Sequence, residues 1–366
     1  KPPSLLAVSS KPHAPLWPMG FFLGFPFCCC GLISEWAYRS HAGLFFPVSY
    51  RAQPGVTGCS LSFSLCISSM TTSPLLHRVA LIGAGEVARF YGAALKSAGV
   101  QVPFILVRRE SAPASELAQQ LGAQLCSQAD ARWQDLDGVL SAVTGTQAEV
   151  VAKAVMPHLS SGTLYMDLCT AEPQDMESMD ALAQQHGIEL ADLAIMGSVP
   201  STGAQTALLA AGQGAGRAAA FWQAQGAPVR ILPGKAGDAM RLKLLRSLMT
   251  KGLEALGIEN LMLAERMGLR AELYEVLEDL NQRGLHDFME SCFRSHLVHG
   301  VRRRDEVLQV RRQLELAGIA PRVTNGVLDF FEHTAQTESL QRAQAVGTQE
   351  SLEVFLEEAR LSSSRS

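Results

Sequence analysis

Arg78-Val79-Ala80-Leu81-Ile82-Gly83-Ala84-Gly85-Glu86-Val87-Ala88 is the stretch on which the fold turns. Arg78 to Ile82 is a short, apolar, β-branched run of the kind that forms a strand buried on both faces. After the glycines at 83 and 85, a helical pattern runs from Arg89 to Ala98, and Gly99 closes it. Gly83 permits a tight turn, Gly85 lets a pyrophosphate approach bare backbone, and Ala88 fills the small third position where helix meets strand. The helix N-terminus adds free N–H groups and a positive dipole. A glycine turn without a ligand is the alternative. A preceding strand, a capped following helix and a second apolar strand, Val102 to Val107, favour a dinucleotide site built from Gly83, Gly85, Glu86, Val87 and Ala88.

The end of that second strand, Val107-Arg108-Arg109-Glu110-Ser111, bears on the choice of nicotinamide cofactor. Arginine accommodates a 2′-phosphate, whereas an acid bonds the ribose 2′-hydroxyl. Arg108 and Arg109 favour NADP; a two-residue shift would make Glu110 the ribose acid and favour NAD. Further strands are expected at Asp137–Thr144, Leu164–Leu168 and Glu189–Ala194, with helices at Gln147–Met156 and Gln174–His186. Repeated strand–helix units predict an α/β, doubly wound, mainly parallel sheet of the Rossmann type, with ligands at the carboxyl ends of the strands. Thr144 and Thr170 lie at two such ends and complete the expected cofactor crevice.

Beyond Gly237 the pattern becomes helical. About 30 residues from Asp238 to Met267 contain no proline and end at Gly268. Shorter helices are expected at Glu272–Gln282, Asp287–Val298, Arg304–Ala317, Val323–Thr334 and Gln349–Arg360, punctuated by Pro321 and glycines 284, 300, 318 and 347. The expected domains are therefore 70–236, which binds the dinucleotide, and 237–366, all helical and joined by the long helix. On that helix Lys243, Ser247 and Lys251 fall at i, i+4 and i+8, with Arg246 beside them. A solvated basic stripe is the plain reading. A helix that starts where the dinucleotide domain ends, however, should cross the cofactor crevice.

Residues 1–69 differ in kind. They carry only five charged side chains but 11 of the 24 aromatics and five of the eight cysteines. Their longest apolar run, Phe21 to Ile33, is interrupted by Pro26 and is shorter than the roughly 20 residues of a membrane span. Cys28, Cys29 and Cys30 are adjacent, a poor spacing for zinc. Met70 reads as the natural start and 1–69 as an unstructured upstream extension; a degenerate targeting peptide is the alternative. The net charge of −4 gives no support for nucleic-acid binding. No membrane attachment and no metal are expected, since His286, His296 and His299 lack carboxylates or cysteines at ligand spacing. Arg302-Arg303-Arg304 reads most simply as the charged start of a helix; reaching a substrate phosphate or carboxylate from the helical domain is the alternative. Cys126, Cys169 and Cys292 are scattered as free thiols of a cytoplasmic protein would be.

From Met70 onward the chain resembles the β-hydroxyacid dehydrogenase superfamily, in particular a 6-phosphogluconate dehydrogenase-like branch with its own helical C-terminal domain. The resemblance rests on Gly83–Ala88, Asp167-Leu168-Cys169-Thr170-Ala171-Glu172-Pro173, Asp192-Leu193-Ala194-Ile195-Met196-Gly197-Ser198-Val199-Pro200 and the helix Lys243 to Leu256. It implies an NAD(P)-dependent oxidoreductase acting on a small hydroxy acid or its keto counterpart, with Lys243 as general acid/base. A non-catalytic dinucleotide-binding redox sensor, which would need no Lys243, is the alternative. The substrate carboxylate would be held by the loop at Gly197 and Ser198, where Met196 and Ser198 replace the family's serine and last glycine. Ser247 stands where the family has asparagine, and Lys251 completes the implied substrate set. Burial beside the nicotinamide is expected to lower the basicity of Lys243, and like charge from Arg246 and Lys251 would push the same way if they point inward. The resemblance also implies a homodimer paired through the helical domain.

Overall fold

The computed structural model describes residues 36–39, 45–48, 76–336, 352–354, 356–357 and 360 of the chain. Two compact units are present, Lys1–Met70 and Thr71–Ser366. In the first, β1 (Trp36–Arg39) and β2 (Phe45–Val48) pair antiparallel. The five cysteines and the apolar run read at 21–33 lie outside the described residues.

The second unit begins with β3 (Val79–Ile82), α1 (Glu86–Ser97) and β4 (Phe104–Leu106). It continues through α2 (Ala112–Leu121), β5 (Gln124–Cys126), β6 (Gly138–Ser141), α3 (Gly145–Val155), β7 (Leu164–Asp167) and α4 (Pro173–Gln185). Then come β8 (Glu189–Ile195), α5 (Val199–Thr202), β9 (Leu208–Ala211), α6 (Ala215–Ala224) and β10 (Val229–Ile231). The eight strands form one sheet in the order β10-β9-β8-β7-β6-β3-β4-β5. All pairs are parallel except β8 with β9. The chain moves outward from β3 to β5, then returns to the other side of β3 with β6. The carboxyl ends of β3 and β6 therefore flank the switch point at which such sheets bind ligands.

Both faces of the sheet are covered, so its strands need no polar alternation. On one face Ala80, Ile82, Val139, Tyr165 and Ala194 pack with Met176, Ala239 and Met240. On the other, Val79, Leu81, Leu140 and Met166 pack with Tyr91, Leu95, Leu117 and Trp222. The expected strands and helices of this half are all present. Helix α1 begins earlier than its apolar pattern, at Glu86 rather than Arg89.

The helical part comprises α7 (Asp238–Met267), α8 (Arg270–Val276), α9 (Glu278–Arg283), α10 (Leu285–Leu316) and α11 (Arg322–Gln336). α7 has the expected bounds and runs through Gly252 and Gly257. Midway along it, the buried Glu259 carboxylate accepts the Val323 and Thr324 amides, both at 2.9 Å, and so caps α11. Three expectations are corrected here. The helix read as Glu272–Gln282 is two short ones, divided at Leu277. The helices read as Asp287–Val298 and Arg304–Ala317 are one, because Gly300 does not break the chain but is buried in α10 next to Thr334 of α11. A glycine there lets two helices approach closely. Arg302, Arg303 and Arg304 consequently sit in mid-helix, with Arg303 donating to Ser295 Oγ at 2.8 Å. Half of the segment read as helix Gln349–Arg360 lies outside the described residues; those described there are helical. Among the described residues, no helix is long and apolar enough to cross a membrane.

Candidate active site

Gly83 adopts φ +97°, and a β-carbon there would lie 2.5 Å from the Ala142 carbonyl oxygen, so the turn that ends β3 requires glycine on both counts. Gly85 is the N-cap of α1 and supplies no side-chain cap. The first amides of α1 are thus left for an anion, the arrangement that suits a pyrophosphate. Ala88 is fully buried between helix and sheet. Beside this loop lies a cavity of about 890 Å³ lined by Gly83, Arg108, Arg109, Ser111, Thr144 and Thr146, among others. Glu110 does not line it; it faces an adjoining cavity with Arg108 and Arg109. The Ser111 hydroxyl also accepts the Ala114 amide at 3.4 Å and caps α2.

On the other side of the glycine loop is a second cavity of about 370 Å³. Glu86, Val87, Thr170, Gly197, Ser198 and Lys243 all line it, and Val143 lines both cavities. Residues from five separate stretches of chain therefore meet in one place. The Lys243 ammonium donates to Thr170 Oγ1 at 2.8 Å. The Thr170 loop is itself pressed against the start of α3, where a β-carbon on Gly145 would come within 1.9 Å of the Thr170 carbonyl oxygen. Ser198 Oγ accepts from Ser201 Oγ at 3.0 Å.

Burial lowers the basicity of Lys243, as expected, while Asp192, Cys169 and Asp167 oppose that effect. The expected contribution from Arg246 and Lys251 is corrected. Both are exposed, and neither lines the cavity. Ser247, half-buried, is also outside the lining. With a rise of about 1.5 Å per residue, positions 247 and 251 lie about 6 and 12 Å farther along α7. Only the first of the three stacked side chains reaches the site.

Two residues not singled out as site residues in the sequence prove central. Asp167 and Asp192 are wholly buried and opposite each other on β7 and β8. Asp167 Oδ1 accepts the Cys169 amide at 2.9 Å. Asp192 Oδ2 accepts the Gly237, Ala239 and Met240 amides at 2.8, 3.2 and 3.4 Å, and so holds the first turn of α7. Burial pushes each carboxyl up to about 6. In the sequence each opens one of the motifs that carry the resemblance and follows an apolar run, but neither mark points to a role. The Cys169 thiol, pushed up by burial and next by Asp167, is held by Val143 N at 3.3 Å and lies 3.4 Å from Ser141 Oγ.

Residues 78–225 match the NAD-binding domain of 6-phosphogluconate dehydrogenase. The match spans the dinucleotide-binding part of the chain, from the strand before the glycine loop to the end of α6. A 28.5 kDa protein of Methanothermus fervidus, described as uncharacterised, is 26% identical over 256 residues, which cover 70% of this chain and 98% of that one. A solved protein of unknown function, described as similar to 3-hydroxyacid dehydrogenases, is 29% identical with a TM-score of 0.50, covering 70% of this chain and 96% of its own. Imine reductase from Myxococcus stipitatus, solved with NADP+, shares the fold at 18% identity and a TM-score of 0.56, covering 74% of this chain and 95% of its own.

The buried carboxyls make stability depend on pH. An unfolded aspartate releases its proton near 3.9, whereas Asp167 holds it until about 6. Between those values the folded chain binds more protons than the unfolded one, so this group makes stability fall as pH rises. Asp167→Asn should flatten the decline of unfolding free energy between about pH 4 and 6, measured by urea titration. An unchanged slope would contradict the assignment.

Proposed function

We propose that the protein is an NADP-preferring oxidoreductase that interconverts a small hydroxy acid and its keto counterpart. The observation that carries this reading is Lys243 Nζ, bonded to Thr170 Oγ1, in a cavity lined in part by the dinucleotide loop. The bound nicotinamide would supply or accept the hydride. Lys243 would take the hydroxyl proton as the carbonyl forms and return it in the reverse direction. A lysine in water, with pKa near 10.4, is a poor base at neutral pH, and burial shifts Lys243 in the useful direction. The Gly197 amide and the Ser198 hydroxyl would hold the substrate carboxylate, and Thr144 and Thr170 would border the cofactor; Gly197, Ser198 and Thr170 line the Lys243 cavity in support of this. The protein's described cysteines, Cys126, Cys169 and Cys292, are unpaired, as suits a reducing cytoplasm.

The reading includes a homodimer. α7 carries Leu244, Leu245, Leu248, Leu253, Leu256 and Ile258 exposed, with Leu248 at 75%. So much apolar surface on one helix suits burial against a second copy. Light scattering at micromolar concentration should give twice the chain mass; the single-chain mass would contradict the dimer.

Absorbance at the nicotinamide band, followed over a panel of hydroxy acids with NADP and keto acids with NADPH, tests the activity. Turnover of at least one pair is expected. Tight NADPH binding with no turnover of any compound would instead support a dinucleotide-binding sensor. For cofactor choice, Arg108 and Arg109 offer bidentate donors to a 2′-phosphate. Changing both to alanine should weaken NADP binding by roughly tenfold to a hundredfold and spare NAD. Equal losses for the two cofactors would count against the NADP assignment.

A further inference from the structure

The register of the sheet places Ser141, Asp167, Asp192 and Ala211 in one row across β6, β7, β8 and β9. Two adjacent carboxylates in the middle of a sheet are unfavourable, since each is desolvated and each repels the other. Asp167 Oδ2 and Asp192 Oδ1 are buried with no hydrogen-bond partner. Apolar side chains would fill both positions without that cost, so the acids are there for what their other oxygens hold. Asp167 Oδ1 fixes the Cys169 amide, one residue before Thr170, whose hydroxyl receives Lys243. Asp192 Oδ2 fixes three amides at the start of α7, one turn before Lys243 itself. The acceptor and the donor of the Lys243–Thr170 bond are thus each anchored by one member of the pair.

We propose that Asp167 and Asp192 are paired positioning residues for Lys243: Asp167 fixes the loop that receives its ammonium, Asp192 fixes the helix that carries it, and their adjacent charge stabilises that ammonium. This rests on the reading of Lys243 as the proton carrier, but its test does not require a substrate. Above about pH 6 both carboxyls are ionised and act on the lysine. Other groups around them are accounted for. β6 presents Ser141 opposite Asp167, and β9 presents the uncharged Ala211 opposite Asp192. Tyr165 and Cys169, from β7 and its loop, are both pushed up by burial and stay protonated in this range. From α4, Glu177 is paired with Lys235 and Arg241; from α6, Arg217 is paired with Glu189. Glu86 of α1 lines the Lys243 cavity.

The full-length protein, reductively methylated with ¹³C-formaldehyde, gives NMR signals whose shifts report the titration of each lysine. The Lys243 signal is the one missing from Lys243→Arg. In Asp192→Asn and in Asp167→Asn the Lys243 midpoint should fall by about half a unit or more, because burial then acts with less opposition. A merely structural role predicts the opposite direction: a loosened site admits water and moves the midpoint up toward that of a free lysine. An unchanged or raised midpoint in both variants overturns the proposal. If Asp192→Asn fails to fold, Asp167→Asn decides, since it leaves the α7 amides in place. Loss of the proton-carrier reading would show separately, as undiminished turnover without Lys243.

Discussion

Three amides at the start of α7 converge on one oxygen of Asp192, and the placement of Lys243 depends on that convergence. A helix N-terminus leaves its first N–H groups without partners inside the helix. Here a buried carboxylate in the middle of β8, level with the carboxyl ends of β6 and β7, satisfies three of them. The helix is therefore fixed to the sheet at the place where ligands bind such sheets. Without that bond the start of the 30-residue helix would rest on Gly237, the packing of Ala239 and Met240, and the ion pair of Arg241 with Glu177.

The same carboxylate shapes the electrostatics. Desolvation alone would push Lys243 strongly toward its neutral form. Asp192 and Asp167 oppose this from beneath, and Thr170 offers the ammonium a neutral acceptor. The net shift is still downward, toward the neutral amine. Such a group can both give and accept a proton, as a reversible interconversion of alcohol and carbonyl demands. The glycine loop works by a different principle. Its turn is fixed by backbone contact with Ala142, and the first residues of α1, Glu86 and Val87, line the Lys243 cavity, so the loop and the lysine border one space.

How much of this was legible in the sequence depended on whether the signal was local. The run from Arg78 to Ala88 was readable because strand burial, turn glycine and helix start each leave a local mark. The bounds of α7 were readable because Gly237 and Gly268 adopt the left-handed conformation at its two ends. The edge of the sheet was not. β9 follows β8 with only short helical turns between and runs antiparallel to it, so the alternation of strand and helix breaks down there. Gly300 looks locally like Gly268; only its contact with Thr334 shows that it joins helices and does not end one. Lys243, Ser247 and Lys251 share a face, but periodicity cannot show how far a helix stays beside a crevice. Asp167 and Asp192 were read as parts of motifs, and their roles emerge only once the register sets them side by side.

The central claim is that Lys243 carries the proton, and replacing it by methionine tests this most directly. Methionine keeps much of the stem's length and apolar character but has no titratable amine. Turnover of a verified substrate should fall by roughly 10²–10⁴, the usual contribution of a positioned acid or base. Affinity for the dinucleotide should barely change, because its phosphates are held at the Gly83–Gly85 loop. A Lys243→Met protein that turns over its substrate at the wild-type rate would contradict the account, whatever became of its fold and cofactor.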